Sequence, residues 1–92
     1  MSEQIICFIS GRVQLVLFRD FTARKARALH LTGTVENLAD GRVKVVAEGE
    51  REQLEKLIGY LHRGSVFSHV DGVEVGWKPA EGNFSDFHII HS

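Results

Sequence analysis

Residues 11–21 read GRVQLVLFRDF, and two readings of this stretch give different folds. In the first, a strand beginning near Gln4 runs on through the apolar residues Leu15 to Phe18, with Gly11 as a bulge. That strand would have about fifteen residues, against a usual length of about 5–6, and it would leave Arg19 with no assigned partner. In the second, the strand ends near Gly11, and residues 12–18 wrap back to the start of a helix. Backbone N–H groups from the turn and the helix start would then converge on one spot, an arrangement that binds anions, phosphate above all. Arg19 would close the cradle with a planar guanidinium able to grip two phosphate oxygens. Composition alone leans slightly towards the first reading, so the rest of the chain has to decide.

Upstream, residues 4–10 (QIICFIS) are β-branched and aromatic on both faces, which predicts a central strand. Cys7 lies within it and reads as core filler. Downstream, residues 20–30 (DFTARKARALH) predict a helix with Asp20 at its N-terminus, where negative charge is favoured. Phe18, Thr22, Ala26 and Leu29 would form its buried stripe, and Arg24, Lys25 and Arg27 a solvated face. Two β-rich segments, 32–38 and 42–48, flank Asp40-Gly41, a strong hairpin signal. Residues 50–63 give the clearest helix, because Leu54, Leu57, Ile58 and Leu61 recur at helical spacing, with Gly64 at its stop. Val73, Val75 and Trp77 alternate in a fourth strand ending before Pro79. Residues 84–90 (FSDFHII) close the chain with a short strand.

The order β-α-β-β-α-β with a short extra strand predicts an α+β, ferredoxin-like sandwich, two helices on one face of an antiparallel sheet. At 92 residues the chain suits a single domain. A net charge of −1 gives no sign of a nucleic-acid partner, and the strands carry no aromatic and basic stacking pair, so an RNA-binding domain of this fold ranks low. One cysteine excludes an intramolecular disulfide. His30, His62, His69, His88 and His91 are scattered, which argues against a metal centre, and most should lie on the surface. No window approaches the ~20 apolar residues of a membrane span, and the opening MSEQIICFIS lacks the features of a signal peptide. A cytoplasmic setting and a monomer are the default expectations.

The decision comes from several motifs in order. GRVQ at 11–14, Phe18-Arg19, TGTVEN at 32–37 and then DGRV resemble the acylphosphatase family, whose signature G-x-V-Q-G-V-x-F-R is followed by a helix and then G-x-V-x-N. Gly11, Val13, Gln14, Val16, Phe18 and Arg19 match its first part, and Gly33, Val35 and Asn37 its second. The resemblance extends over nearly the whole chain. It implies a cofactor-free, metal-independent hydrolase that splits small-molecule acyl phosphates into a carboxylate and inorganic phosphate. It further implies catalytic roles for Arg19, on the phosphate, and Asn37, on the attacking water. Val13, Gln14, Leu15, Val16, Leu17, Phe18 and Arg19 would bind the phosphate. An acyl phosphate is an activated anhydride, so positioning and charge stabilisation suffice for its cleavage.

The chain departs from this pattern at Leu15, where the family has glycine. If position 15 requires a positive φ, leucine costs on the order of 1–3 kcal/mol of strain or reshapes the loop. Thr34 stands where an aromatic is common, and Glu36 where a basic residue is common; Glu36 should face away from Asn37 along the strand. The alternative function is a non-catalytic phosphate- or anion-binding module of the same fold, with activity impaired by Leu15.

Overall fold

The computed structural model describes residues 2–91. In chain order the elements are β1 (Ser2–Arg12), α1 (Phe18–Ala28), β2 (Thr32–Asn37), β3 (Val43–Glu50), α2 (Arg51–Arg63), β4 (His69–Pro79) and β5 (Phe87–Ile90). Alternation along the strands sorts their side chains. Ile5, Cys7 and Ile9 of β1, Val35 of β2, and Val43, Val45 and Ala47 of β3 are all fully buried. They meet Phe18, Ala23 and Ala26 of α1 and Leu54, Leu57 and Leu61 of α2 in one core. Both helices therefore cover the same face, as expected of a ferredoxin-like sandwich. Cys7 belongs to that core, and burial pushes its thiol up to about 12, which leaves it an inert packing group.

The sheet order is β4-β1-β3-β2-β5. β1 runs antiparallel to β3 and β4, and β2 antiparallel to β3. The expectation of an antiparallel sheet fails at one edge, because β5 pairs parallel to β2, and the sheet is mixed. The short connection favours this direction. From the end of β4 the chain must reach the opposite edge, about 19 Å away at the usual strand spacing. Residues 80–86 can span about 25 Å when extended, so a start at the near end of the opposite edge is the shortest route for them. β5 starts at the end of the sheet where β4 stops, with Phe87 beside Gly33, and from there it runs beside β2 in the same direction.

Most element boundaries differ from the sequence reading by a few residues, and those around the last two strands and the first helix matter most. β4 begins at His69 and includes Pro79, which an edge strand tolerates because its outer N–H positions need no partner. β5 starts at Phe87 rather than residue 84. The first helix starts at Phe18, so Asp20 is not its cap. Leu17 holds that place in a left-handed conformation without a side-chain cap, and Asp20 instead pairs with Arg24 one turn on at 3.0 Å.

Gly11 shows why the first strand stops where it does. The pairing of β1 with β4 slips between Ser10 and Gly11, a bulge at which Gly11 has φ 123°. A Cβ there would stand 2.1 Å from the His69 carbonyl oxygen, so only glycine fits. After Arg12 the chain leaves the sheet, and residues 13–17 form a loop into α1. The second of the two readings of GRVQLVLFRDF is therefore the observed one, with the bulge that the first had included.

Candidate active site

Residues 13–17 turn on an alternation of backbone sign. Leu15 has φ 61° and Leu17 φ 62°, while Gln14 and Val16 remain at negative φ. Such alternation aims successive N–H groups into a common concavity. Among the described residues, no hydrogen bond uses the backbone N–H of any residue from Gln14 to Asp20. These donors have no intrahelical partners, because they precede or open α1. The helix dipole adds partial positive charge at the same place.

Arg19, the second residue of α1, is half-buried beside them. Its Nη1 donates to the Ile90 carbonyl at 3.2 Å, which fixes the side chain against β5 and leaves its other donors for a ligand. Val13, Leu15, Leu17, Phe18, Arg19, Asp20, Ile89 and His91 line a cavity of about 420 Å³ at this point. Five of the seven expected phosphate-binding residues thus face one cavity. The remaining two serve differently. The Gln14 side chain donates to the carbonyls of Leu38 at 2.8 Å and Arg42 at 3.0 Å. It fastens the loop to the β2–β3 hairpin and is not itself free for a ligand. Val16 accepts at its carbonyl from the Ser65 hydroxyl at 3.0 Å, which fastens the other side of the loop to the turn between α2 and β4.

Asn37 ends β2, opposite Val43. It lies one residue beyond Glu36, whose register partner is Ile90, the residue that holds Arg19. The register thus places Arg19 and Asn37 at the same end of the sheet. The Asn37 Oδ1 atom is buried and has no hydrogen-bond partner. Such an atom carries a substantial desolvation cost unless something donates to it.

Ile89, His91 and Ser65 were missed as site residues by sequence reasoning. Ile89 and His91 are two apart at the end of a strand, so a shared face was the available signal. Ser65 had no comparable signal, because its contact depends on tertiary packing. The other histidines are exposed, as expected, and no group of histidine, cysteine and carboxylate side chains among the described residues could hold a metal ion.

The sequence model of the acylphosphatase family matches residues 5–89. A relative described as an acylphosphatase, from Methanococcoides burtonii, is 49% identical over 82 residues, covering 89% of this chain and 85% of its own length. Among solved structures, an acylphosphatase from Bacillus subtilis superposes with a TM-score of 0.93 at 34% identity, covering 97% of this chain and 99% of that one. One from Coxiella burnetii gives 0.90 at 36% identity, covering 97% and 93%. The family match spans the cradle, the Arg19 position and the β2 terminus together, and the chain belongs to the acylphosphatase family.

Proposed function

We propose that this chain hydrolyses acyl phosphates in the cradle formed by residues 13–19, with Arg19 and Asn37 as its catalytic residues. The observation that carries this reading is the set of unpaired N–H groups from Gln14 to Asp20 beside the half-buried Arg19 guanidinium. Together they form a preorganised site for a doubly charged phosphoryl group.

The chemistry follows from the groups available. The phosphoryl oxygens take the loop amides and the free edge of Arg19. Charge shifts during phosphoryl transfer, and donors already fixed in place stabilise it without reorganising. Asn37, at the same end of the sheet as Arg19, is assigned the attacking water, for which its amide offers both a donor and an acceptor. An amide is too weak a base to remove the proton, which passes to a phosphoryl oxygen of the substrate. The new bond is from water oxygen to phosphorus. The bond that breaks joins phosphorus to the acyl oxygen, and the carboxylate leaves with the bonding pair. No step calls on a cofactor or metal.

The reading extends to a monomer acting on a small molecule in the cytoplasm, with inorganic phosphate as a product that the cradle also binds. No helix among the described residues is long and apolar enough to cross a membrane. A binding module without turnover is not favoured, because the relatives that share this sequence over most of its length are described as acylphosphatases.

The test is hydrolysis of benzoyl phosphate by the purified protein in the presence of a chelator. Turnover is expected, with a loss of about 10²–10³-fold in Arg19→Ala and in Asn37→Ala while the fold is retained. Wild-type turnover in Asn37→Ala would remove its water-positioning role. Silence of the unmodified protein would overturn the reading itself.

A further inference from the structure

The cradle opens onto more apolar surface than a phosphate needs. Leu17 is 69% exposed, and it lines two cavities at once. One is the phosphate cavity. The other, of about 240 Å³, is formed by Val16, Leu17, Phe21, Val66 and Phe67, with Ser65, Gly64 and Arg24 at its rim. Val66 is 91% exposed and Phe67 67% exposed, in a domain whose other large apolar side chains are mostly covered. Clustered exposure of this kind marks a binding surface more often than scattered single residues do. The turn that presents these two side chains is well fixed. Ser65 donates to Val16 at 3.0 Å, and both the hydroxyl and the backbone N–H of Ser68 donate to the Ser65 carbonyl, at 2.8 and 3.1 Å.

We propose that this second cavity is the subsite for the acyl group, and that the enzyme prefers acyl phosphates carrying an extended apolar acyl chain. The inference rests on the hydrolase reading. The occupant follows from covalent connectivity. In an acyl phosphate a single oxygen joins phosphorus to the acyl carbon, so the acyl group must leave the cradle across its rim. Leu17 lines both cavities and forms the part of that rim that faces the second one, whose lining runs on through Val66 and Phe67. Among the residues lining the groove the one charged side chain is Arg24, whose Nε is held by Asp20 at 3.0 Å, and the rest of the lining is mostly apolar, which favours an apolar acyl chain.

The experiment compares acetyl phosphate with hexanoyl phosphate, two aliphatic substrates of closely similar intrinsic reactivity. Each methylene removed from water is worth up to about fourfold in binding, so kcat/KM should be at least about tenfold higher for hexanoyl phosphate even in an open groove. Phe67→Ala should raise KM for hexanoyl phosphate about fivefold or more and leave acetyl phosphate hydrolysis unchanged, since it removes uniform binding to the acyl chain. Phe67→Leu should restore most of the preference, and unchanged acetyl phosphate turnover shows that each variant is folded. Equal kcat/KM for the two substrates in the unmodified protein, or an equal effect of Phe67→Ala on both, overturns the subsite while the hydrolase stands. Absence of turnover on either substrate overturns the hydrolase reading, and the subsite falls with it.

Discussion

At φ 61° the Cβ of a leucine crowds the following carbonyl oxygen, a conformation that costs roughly 1–2 kcal/mol for an L-residue. Leu15 bears this cost with its side chain 96% exposed, so little packing offsets it. Glycine would relieve the strain but would lose more backbone entropy on folding, by about 0.5–1 kcal/mol. The balance predicts that Leu15→Gly stabilises the protein by about 0.5–1 kcal/mol in denaturant unfolding. Because Leu15 already holds the positive φ that aims the amides, turnover of Leu15→Gly should stay within about threefold of the unmodified protein. A tenfold gain would show that leucine misaims the cradle. The proposed catalytic pair, Arg19 and Asn37, came from the resemblance of the surrounding glycine, valine and phenylalanine positions to the family signature. The left-handed Leu17 was not legible in the sequence. Leucine is ordinarily absent from that conformation, and nothing in its identity announces it. The orphaned oxygen of Asn37 was equally hidden, because it depends on what the fold places around the residue.

Among the elements, the cradle loop buries Val13 in the core and is held by hydrogen bonds from both sides. Gln14 ties it to the β2–β3 hairpin, and Ser65 ties it to the turn after α2. The hairpin also carries Asn37 at its base, so Gln14 sets the distance between the loop amides and Asn37. Gln14→Ala removes two hydrogen bonds from partly buried carbonyls, which should cost about 1–2 kcal/mol of stability. The larger expected effect is on catalysis, a loss of about 10–100-fold in kcat/KM, because small displacements of positioned donors weaken transition-state stabilisation steeply. Steady-state kinetics and a urea titration on the same variant separate the two. If kcat/KM falls no further than the stability loss explains, Gln14 is a packing residue and nothing more. The two helices and the central strands were readable, because helical spacing of leucines and strand alternation are local signals. The direction of β5 was not, since a run of four residues carries no local signal of the strand it pairs with or the sense of that pairing.

Across the whole molecule, chemistry and fastening lie at opposite ends of the sheet. The cradle, Asn37 and the Ile90 carbonyl share one end. At the other, residues 80–86 cross from β4 to β5, and Glu48 of β3 holds them. Its carboxylate is buried and accepts from Gln4 Nε2 at 2.7 Å, from the Glu81 N–H at 2.7 Å and from the Gly82 N–H at 3.1 Å. Burial raises the pKa of this carboxyl, but the hydrogen bonds from Glu81, Gln4 and Gly82, with the Lys78 charge, outweigh it and leave the value below the ordinary 4.5. A carboxyl whose folded pKa is depressed adds stability that is fully present above its unfolded value and is lost as pH falls through the folded one. The contribution of Glu48 should therefore be intact at neutral pH and should disappear on acidification below about 4.5. Glu48→Gln keeps the shape and removes the charge. It should lower stability at pH 7 by about 1–2 kcal/mol, and the gap between variant and unmodified protein should close as pH falls through that range. Its kcat on acyl phosphates should not change, because the crossing loop lies a full strand length from the cradle. A variant that lost turnover at undiminished stability would mean that the two ends of the sheet are coupled. A stability difference that persisted unchanged into acid would mean that the carboxylate charge is not what holds the crossing in place.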